Sequence, residues 1–190
     1  MDVSWPALLT AISSCQRCRL CDSRTNVVPG EGNVKAALML IGEGPGKDED
    51  LTGRPFVGAA GRLLEKALLA IGHSRETVYI ANTVKCRPPG NRTPAPDEME
   101  ACLFYLRAQV ALIRPKVIVL LGASASRAVL GPSTRITRDR GQWVERKGVW
   151  IMPTFHPAAL LRDVDKKRPF WEDMKQVRDK VLAQSTQAEI

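Results

Sequence analysis

AALMLIGEGPG, residues 36–46, joins an unbroken apolar run to a glycine-rich turn, and the fold follows from that junction. Ala36–Ile41 has no polar position to offer water, so the strand it predicts is buried on both faces, as in a parallel sheet covered by helices. Val117–Leu121 (VIVLL) repeats the pattern and also stops at a glycine, Gly122. Val78–Ala81 (VYIA) and Val149–Met152 read as two further strands. Helical periods separate them. From Ala60, apolar residues recur at Leu63, Leu64, Ala67, Leu68 and Ile71 until Gly72 stops the run. Residues 97–113 set Asp97, Glu98 and Glu100 in a first turn, where the helix dipole favours acids. A short helix passes through Ala128–Leu130, and Pro169 opens an amphipathic helix to about Leu182. Alternating strands and helices predict an α/β fold, a three-layer α/β/α arrangement around a central, mostly parallel four-stranded sheet. Residues 1–190 read as a single domain without internal repeats, and the tail AQSTQAEI, 183–190, reads as frayed.

In such sheets a site forms at the carboxyl ends of the strands. Here those ends carry GEGPG (42–46), Asn82, Gly122 and TFHPAALLR (154–162), four separated pieces that converge on one crevice.

Composition narrows the class. With 44% hydrophobic and 25% charged residues the chain has the usage of a soluble globular protein, not of a disordered or fibrous one. No apolar run approaches the roughly 20 residues of a membrane span, and no basic-then-apolar leader opens the chain. Secretion and membrane insertion are therefore not expected. The formal net charge of +8 is unevenly placed: residues 1–100 carry 12 basic and 12 acidic side chains, and residues 101–190 carry 16 and 8. Such an asymmetry suits a surface facing a polyanion, although a solvated basic face aiding solubility would look the same.

Five cysteines, Cys15, Cys18, Cys21, Cys86 and Cys102, make a poor disulfide framework, because the number is odd and three crowd into seven residues. A reducing, cytosolic setting follows. Cys15-x2-Cys18 lets two thiolates reach one metal centre, with Cys86 and Cys102 supplying two more from afar. Four thiolates suit zinc or an iron-sulfur cluster equally, and Cys21 leaves open which thiol is spare. The plainer alternative is that Cys86 and Cys102 are small buried hydrophobes.

The loops hold chemistry without a nucleophile. GEGPG is neither a phosphate loop nor a dinucleotide fingerprint, but its glycines admit close backbone approach of a planar ligand. Phe56 could stack on a base, Asn82 presents a donor beside an acceptor, and His156 lies just past a strand end. His73 reads as an ordinary turn residue. There is no Ser-His-Asp order, no H-E-x-x-H motif and no partner to depress the pKa of Lys47, so water, helped electrostatically, is the expected attacking group.

Taken together, GEGPG (42–46), TGRPFVGAAG (52–61), NTVKCRPPGNRTP (82–94), HPAALLR (156–162) and the cysteine set resemble the family 4 uracil-DNA glycosylases, over nearly the whole chain from Cys15 onward. The resemblance implies a DNA repair glycosylase that flips uracil from single- or double-stranded DNA, G·U mismatches included, and hydrolyses its N-glycosidic bond. It implies that Cys15, Cys18, Cys86 and Cys102 hold a [4Fe-4S] cluster, leaving Cys21 spare. Phe56 matches the residue stacked on uracil, Asn82 the amide that reads its pairing edge, and His156 the donor to its carbonyl, with Gly42 and Gly44 in the substrate-binding first motif. Pro157, Leu161 and Arg162 match the loop entering the duplex, with Leu161 the wedge. Where uracil-DNA glycosylases of family 1 carry a water-positioning aspartate in the first motif, this chain has Gly42-Glu43-Gly44, so Glu43, Glu49 and Asn91 are the candidates. The related covalent binders have a histidine-containing insertion before the equivalent of Thr93; only GNR stands here, so turnover is expected. The resemblance further implies a monomer acting on uracil-containing DNA, with no membrane partner, in a prokaryotic-type cytoplasm at the nucleoid. A non-catalytic, metal-containing nucleic-acid-binding module is the alternative. A zinc-dependent nucleotide hydrolase would need an open coordination position that four cysteines close.

Overall fold

Strands that are apolar at every position pair at the centre of the molecule. Leu38–Gly42 (β2) and Val117–Leu121 (β4) are buried throughout and run parallel, with Leu38 opposite Val117 and Ile41 opposite Leu120. Tyr79–Asn82 (β3) adds to the other side of β2, and Val149–Thr154 (β6) to the other side of β4, both in parallel. The computed structural model describes residues 4–186.

Side chains alternate across each strand, which divides the core in two. Leu38, Leu40, Val117 and Val119 pack with Leu64 and Leu68 of Ala59–Ala70 (α3) and with Phe170, Met174 and Val177 of the last helix, Lys167–Thr186. Met39, Ile41, Ile118 and Leu120 pack on the opposite face with Leu106 and Ile113 of Pro96–Ile113 (α4) and Ala125 of Ala123–Leu130 (α5). The three layers are those expected.

The sheet has six strands rather than four, because Glu31–Gly32 (β1) and Val144–Arg146 (β5) close its edges in antiparallel pairing. Neither carries an apolar run: β1 has two residues, and all three of β5 are exposed. Their pairing comes from neighbouring strands. Among the described residues, four α-helices also lie outside the expected set. Trp5–Ser13 (α1) starts at Ser4, whose hydroxyl accepts from the Ala7 amide, and buries Leu8 and Ile12 against Cys86, Cys102 and Tyr105. Lys47–Thr52 (α2) interrupts the stretch read as a loop, and Ile136–Asp139 (α6) is a single turn. Pro157–Arg162 (α7) follows β6, and the last helix (α8) takes in residues 183–186 of the supposedly frayed tail; 187–190 lie outside the described residues. No described helix is long and apolar enough to cross a membrane.

Glu98 fastens α4 to the loop before it. Its buried carboxylate accepts the Ala95 amide at 2.7 Å, two Arg92 donors at 2.7 and 2.8 Å, and Arg19 Nε at 2.8 Å. These donors, Arg92 foremost, hold the carboxyl at about 2 against an ordinary 4.5. A depressed carboxyl stabilises fully above the unfolded value and loses its contribution as the pH falls through the folded one. Glu98→Ala is therefore expected to destabilise the protein by about 2–3 kcal/mol at pH 7. Thermal unfolding of both forms should show that gap closing between pH 4.5 and 2.

Candidate active site

The parallel register sets Gly42, the last residue of β2, opposite Asn82, the last of β3. One cavity opens beyond these ends. Glu43, Gly44, Glu49, Phe56, Asn82, Asn91, His156 and Arg162 all line it, as do Gly122, Ala123 and Ser124 from the turn after β4. Pieces spread over some 120 positions of sequence are thus brought together. Pro157 is buried as the first residue of α7, and Leu161, half-exposed, borders a neighbouring groove with Lys66 and Trp171.

Asn82 is 2% exposed, and its Oδ1 is the buried side-chain atom without a hydrogen-bond partner among the described residues. Buried polar atoms are almost always satisfied, so a bare acceptor in a cavity wall is free to take a donor from outside the chain. Gly42 stands behind it. A Cβ there would come within 2.5 Å of Asn82 Oδ1 and 2.6 Å of the Phe56 ring, so only glycine admits both. Phe56 itself has φ +53°, a left-handed backbone that aims its ring at the cavity, 5.5 Å from the His156 ring.

His156 caps α7: its Nδ1 accepts the Ala158 amide at 3.1 Å. A ring whose Nδ1 accepts must carry its proton on Nε2, which makes Nε2–H the donor. Burial, with the Arg162 guanidinium nearby, lowers its pKa to about 4, so the ring is neutral at pH 7. Gly122 makes room for it, since a Cβ at φ +93° would meet His156 Cβ at 2.9 Å.

The three candidates for placing water differ in their commitments. Both Glu49 oxygens are occupied: Oε1 accepts the Val57 and Gly58 amides at 2.8 and 3.0 Å, and Oε2 accepts the Gly46 amide at 3.1 Å. Asn91 is exposed, and its Oδ1 takes Arg87 Nε at 2.7 Å. Glu43 is half-buried; burial pushes its carboxyl up while a hydrogen bond from Ser124 opposes that. A carboxylate raised in this way and bonded only at its edge is the one best suited to hold a water. Ser124 was not legible as a site residue, because nothing but its place two after the strand-ending Gly122 marks it.

Much of the basic surface is already paired. Arg140 and buried Asp173 meet at 2.6 Å, Arg138 pairs with Asp139, Lys166 with Asp163 and Arg168 with Glu172. Among these only Arg140 is largely buried, and it holds Asp173, which also accepts from Thr154, under β6. Arg162 has no acidic partner among the described residues and lines the cavity mouth.

The cysteines gather elsewhere. Cys15, Cys18, Cys21, Cys86 and Cys102 all line one small cavity with Ile12, Leu20, Val84 and Tyr105. Among the described residues no three His, Cys, Asp or Glu side chains close on a single metal-ion position. The donors around the sulfurs sort them. Arg24 Nη1 donates to Cys86 Sγ at 3.2 Å, and the Lys85 amide donates to Cys102 Sγ at 3.3 Å. Cys21 instead donates its own proton to Asp22 Oδ1 at 3.3 Å. Lys85 is fully buried, with its ammonium on two neutral acceptors, Asn82 O at 2.8 Å and Gln109 Oε1 at 2.6 Å. A buried cation wants an anion nearby; burial pushes the free Cys102 thiol up, but Cys102 bound as a thiolate would supply that anion to Lys85, as Cys86 would to Arg24. The set therefore fits an anionic, thiolate-bound group.

Comparison with known proteins agrees with this geometry. Residues 29–175 match the family model of the uracil DNA glycosylase superfamily. A Type-4 uracil-DNA glycosylase of Thermotoga maritima is 52% identical over 154 residues, 80% of either chain. Proteins of the same description from Archaeoglobus fulgidus and Sulfurisphaera tokodaii are 46% and 44% identical, covering 90% and 88% of this chain and 89% and 80% of their own.

The neutral His156 is directly measurable, since the chain has only one other histidine, His73. An NMR pH titration should find His156 uncharged down to about pH 5, with its Nε2 protonated; a midpoint near 6.5 would contradict the assignment. Because the folded value lies below the unfolded one, this group favours the fold fully above pH 6.5 and less as the pH falls towards 4.

Proposed function

Because the chain belongs to the uracil-DNA glycosylase superfamily, within its type-4 branch, we propose that it removes uracil from DNA by hydrolysing the N-glycosidic bond and leaves an abasic site. The bare Oδ1 of Asn82 is the observation that carries this reading. Uracil presents an N3–H donor beside an O4 acceptor, which suits an amide with a free acceptor; cytosine reverses that order and leaves two acceptors facing each other.

A base can reach a cavity walled by Phe56 and His156 only outside the helical stack, so the nucleotide must flip. Flipping costs a few kcal/mol and is cheapest for unpaired or mismatched bases, which favours single strands and G·U pairs. Leu161, half-exposed on α7, fills the vacated stack, and Arg162 meets a phosphate beside the flipped nucleotide. Within the cavity the base lies on Phe56 and is read by Asn82. As the glycosidic bond breaks, negative charge gathers on the uracil carbonyl, and Nε2–H of neutral His156 donates to it without having to give up its proton. Water held by Glu43 attacks the cationic sugar from the other side, and Glu49 keeps the loop that walls it in place.

We further propose that Cys15, Cys18, Cys86 and Cys102 hold a [4Fe-4S] cluster, with Cys21 left out because its thiol is engaged by Asp22. When bound, such a cluster supplies a cross-link between the N-terminal segment, the loop after β3 and α4. The setting that suits the reading is a reducing cytoplasm, with the chain working as a monomer at the nucleoid.

Incubated with a uracil oligonucleotide and no added metal or nucleotide, the protein is expected to create alkali-labile sites at uracil and none at cytosine. An intact oligonucleotide would overturn the glycosylase reading and leave a binding module. His156→Ala should slow excision about 10²- to 10³-fold, the usual effect of losing one well-aimed donor. Separately, metal analysis of anaerobically purified protein should find iron rather than zinc, with the iron lost in Cys86→Ala; bound zinc would refute the cluster.

A further inference from the structure

Of the described cavity residues other than glycine, Phe56 and Asn91 have left-handed backbones, φ +53° and +56°; asparagine visits that region readily, whereas a bulky phenylalanine resists it. A left-handed backbone at a bulky residue is strained and persists only where its surroundings enforce it. Two side chains of opposite charge do so here. Glu49 collects the amides that follow, those of Val57 and Gly58. Arg75 collects the carbonyls on either side of the Phe56 Cα: Nη1 donates to Phe56 O at 2.9 Å, and Nη2 to Pro55 O at 2.5 Å. Gly61 completes the fit, because a Cβ on it would fall 1.8 Å from Phe56 O.

Arg75 is itself 8% exposed and lies in the turn between α3 and β3, away from both the cavity and the cysteines. Its Nε faces Glu31 Oε1 at 3.3 Å, and Glu31 is held in turn by Arg54 at 2.7 and 2.8 Å. A planar guanidinium with one edge on a carboxylate and the other on two successive carbonyls fixes those carbonyls in direction as well as place. The ring they carry forms the cavity wall opposite His156.

We propose that Arg75 is a positioning residue: braced by Glu31, it holds the Pro55–Phe56 turn so that the Phe56 ring stays parallel to the flipped base. For its effect on catalysis the inference rests on the uracil-excision reading. For the ring's orientation it does not, and the test uses both.

In the full-length protein with its metal content intact, a nuclear Overhauser contact between the Phe56 and His156 rings is expected. It should disappear in Arg75→Met while the remaining core contacts and the iron content stay as in the parent. A persisting ring contact in Arg75→Met would overturn the proposal whether or not the protein excises uracil. Under single-turnover conditions Arg75→Met should slow excision about 10- to 100-fold, as an ångström-scale misplacement does. Arg75→Lys, which can still reach one carbonyl, should recover part of that loss. In a Phe56→Ala background the same Arg75→Met change should cost less than about twofold, the coupling expected of residues acting through one contact. Equal losses in both backgrounds would show that Arg75 acts independently of Phe56 and would refute the positioning role. Should Arg75→Met fail to fold, Glu31→Gln, which removes the brace and keeps the fork, is read by the same ring contact and the same cycle.

Discussion

Register between two parallel strands governs the site. Gly42 on β2 faces Asn82 on β3, and the absence of a Cβ at Gly42 leaves room for both the Asn82 amide and the Phe56 ring. From that one close approach the rest is arranged. The chain beyond Gly42 turns outward as Glu43-Gly44-Pro45-Gly46, tied back by Thr83 and Val84 amides to the Gly42 and Glu43 carbonyls. Asn82 is left with an acceptor that nothing among the described residues satisfies. A shift of one residue would turn every side chain of β2 to the other face, exchanging Leu38 and Leu40 with Met39 and Ile41 between the two cores. Burial on both faces is thus what keeps the Asn82 amide in place.

Charge is distributed so that the cavity stays neutral where it must bind and ionic where it must hold shape. His156 is kept uncharged by burial, Arg162 and the amide it caps. Glu49 and Arg75 bond backbone groups of the 46–58 segment that walls the site, and Glu98 holds the 92–95 loop through the Arg92 side chain and the Ala95 amide. Strong charge-assisted bonds at loop backbones give a rigid wall without a ligand present, which is the preorganisation that electrostatic catalysis requires. Arg138, Arg140, Lys166 and Arg168 already have acidic partners, so the net +8 of the chain is carried by other basic side chains.

Residues whose role shows in their neighbours were legible. β2 and β4 are apolar on both faces, so their runs could only be buried strands, and His156, Asn82 and Phe56 stand at strand ends or in glycine-rich loops where a sheet of this kind builds its site. β1 and β5 were not legible, because two or three exposed residues pair only where an edge is offered. α1 was missed although Ser4 and Pro6 mark its start, and α2 hid inside a stretch whose glycines suggested loop throughout. Ser124 and Arg75 escaped for another reason. A serine near Glu43 and an arginine reaching two carbonyls nineteen and twenty positions earlier in the chain are relations between distant segments, with no local pattern to betray them.

The sequence by itself determined the layered α/β arrangement and the identity of the residues at the strand ends, because burial on two faces and glycine after a strand are properties of short stretches. The tertiary structure decided the state of those residues: which histidine nitrogen bears the proton, which carboxylate is already engaged, which thiol donates to a carboxylate and which arginine holds the carbonyls beside the aromatic ring. Those are set by partners brought close only when the chain folds, and by the loss of water that folding imposes on them.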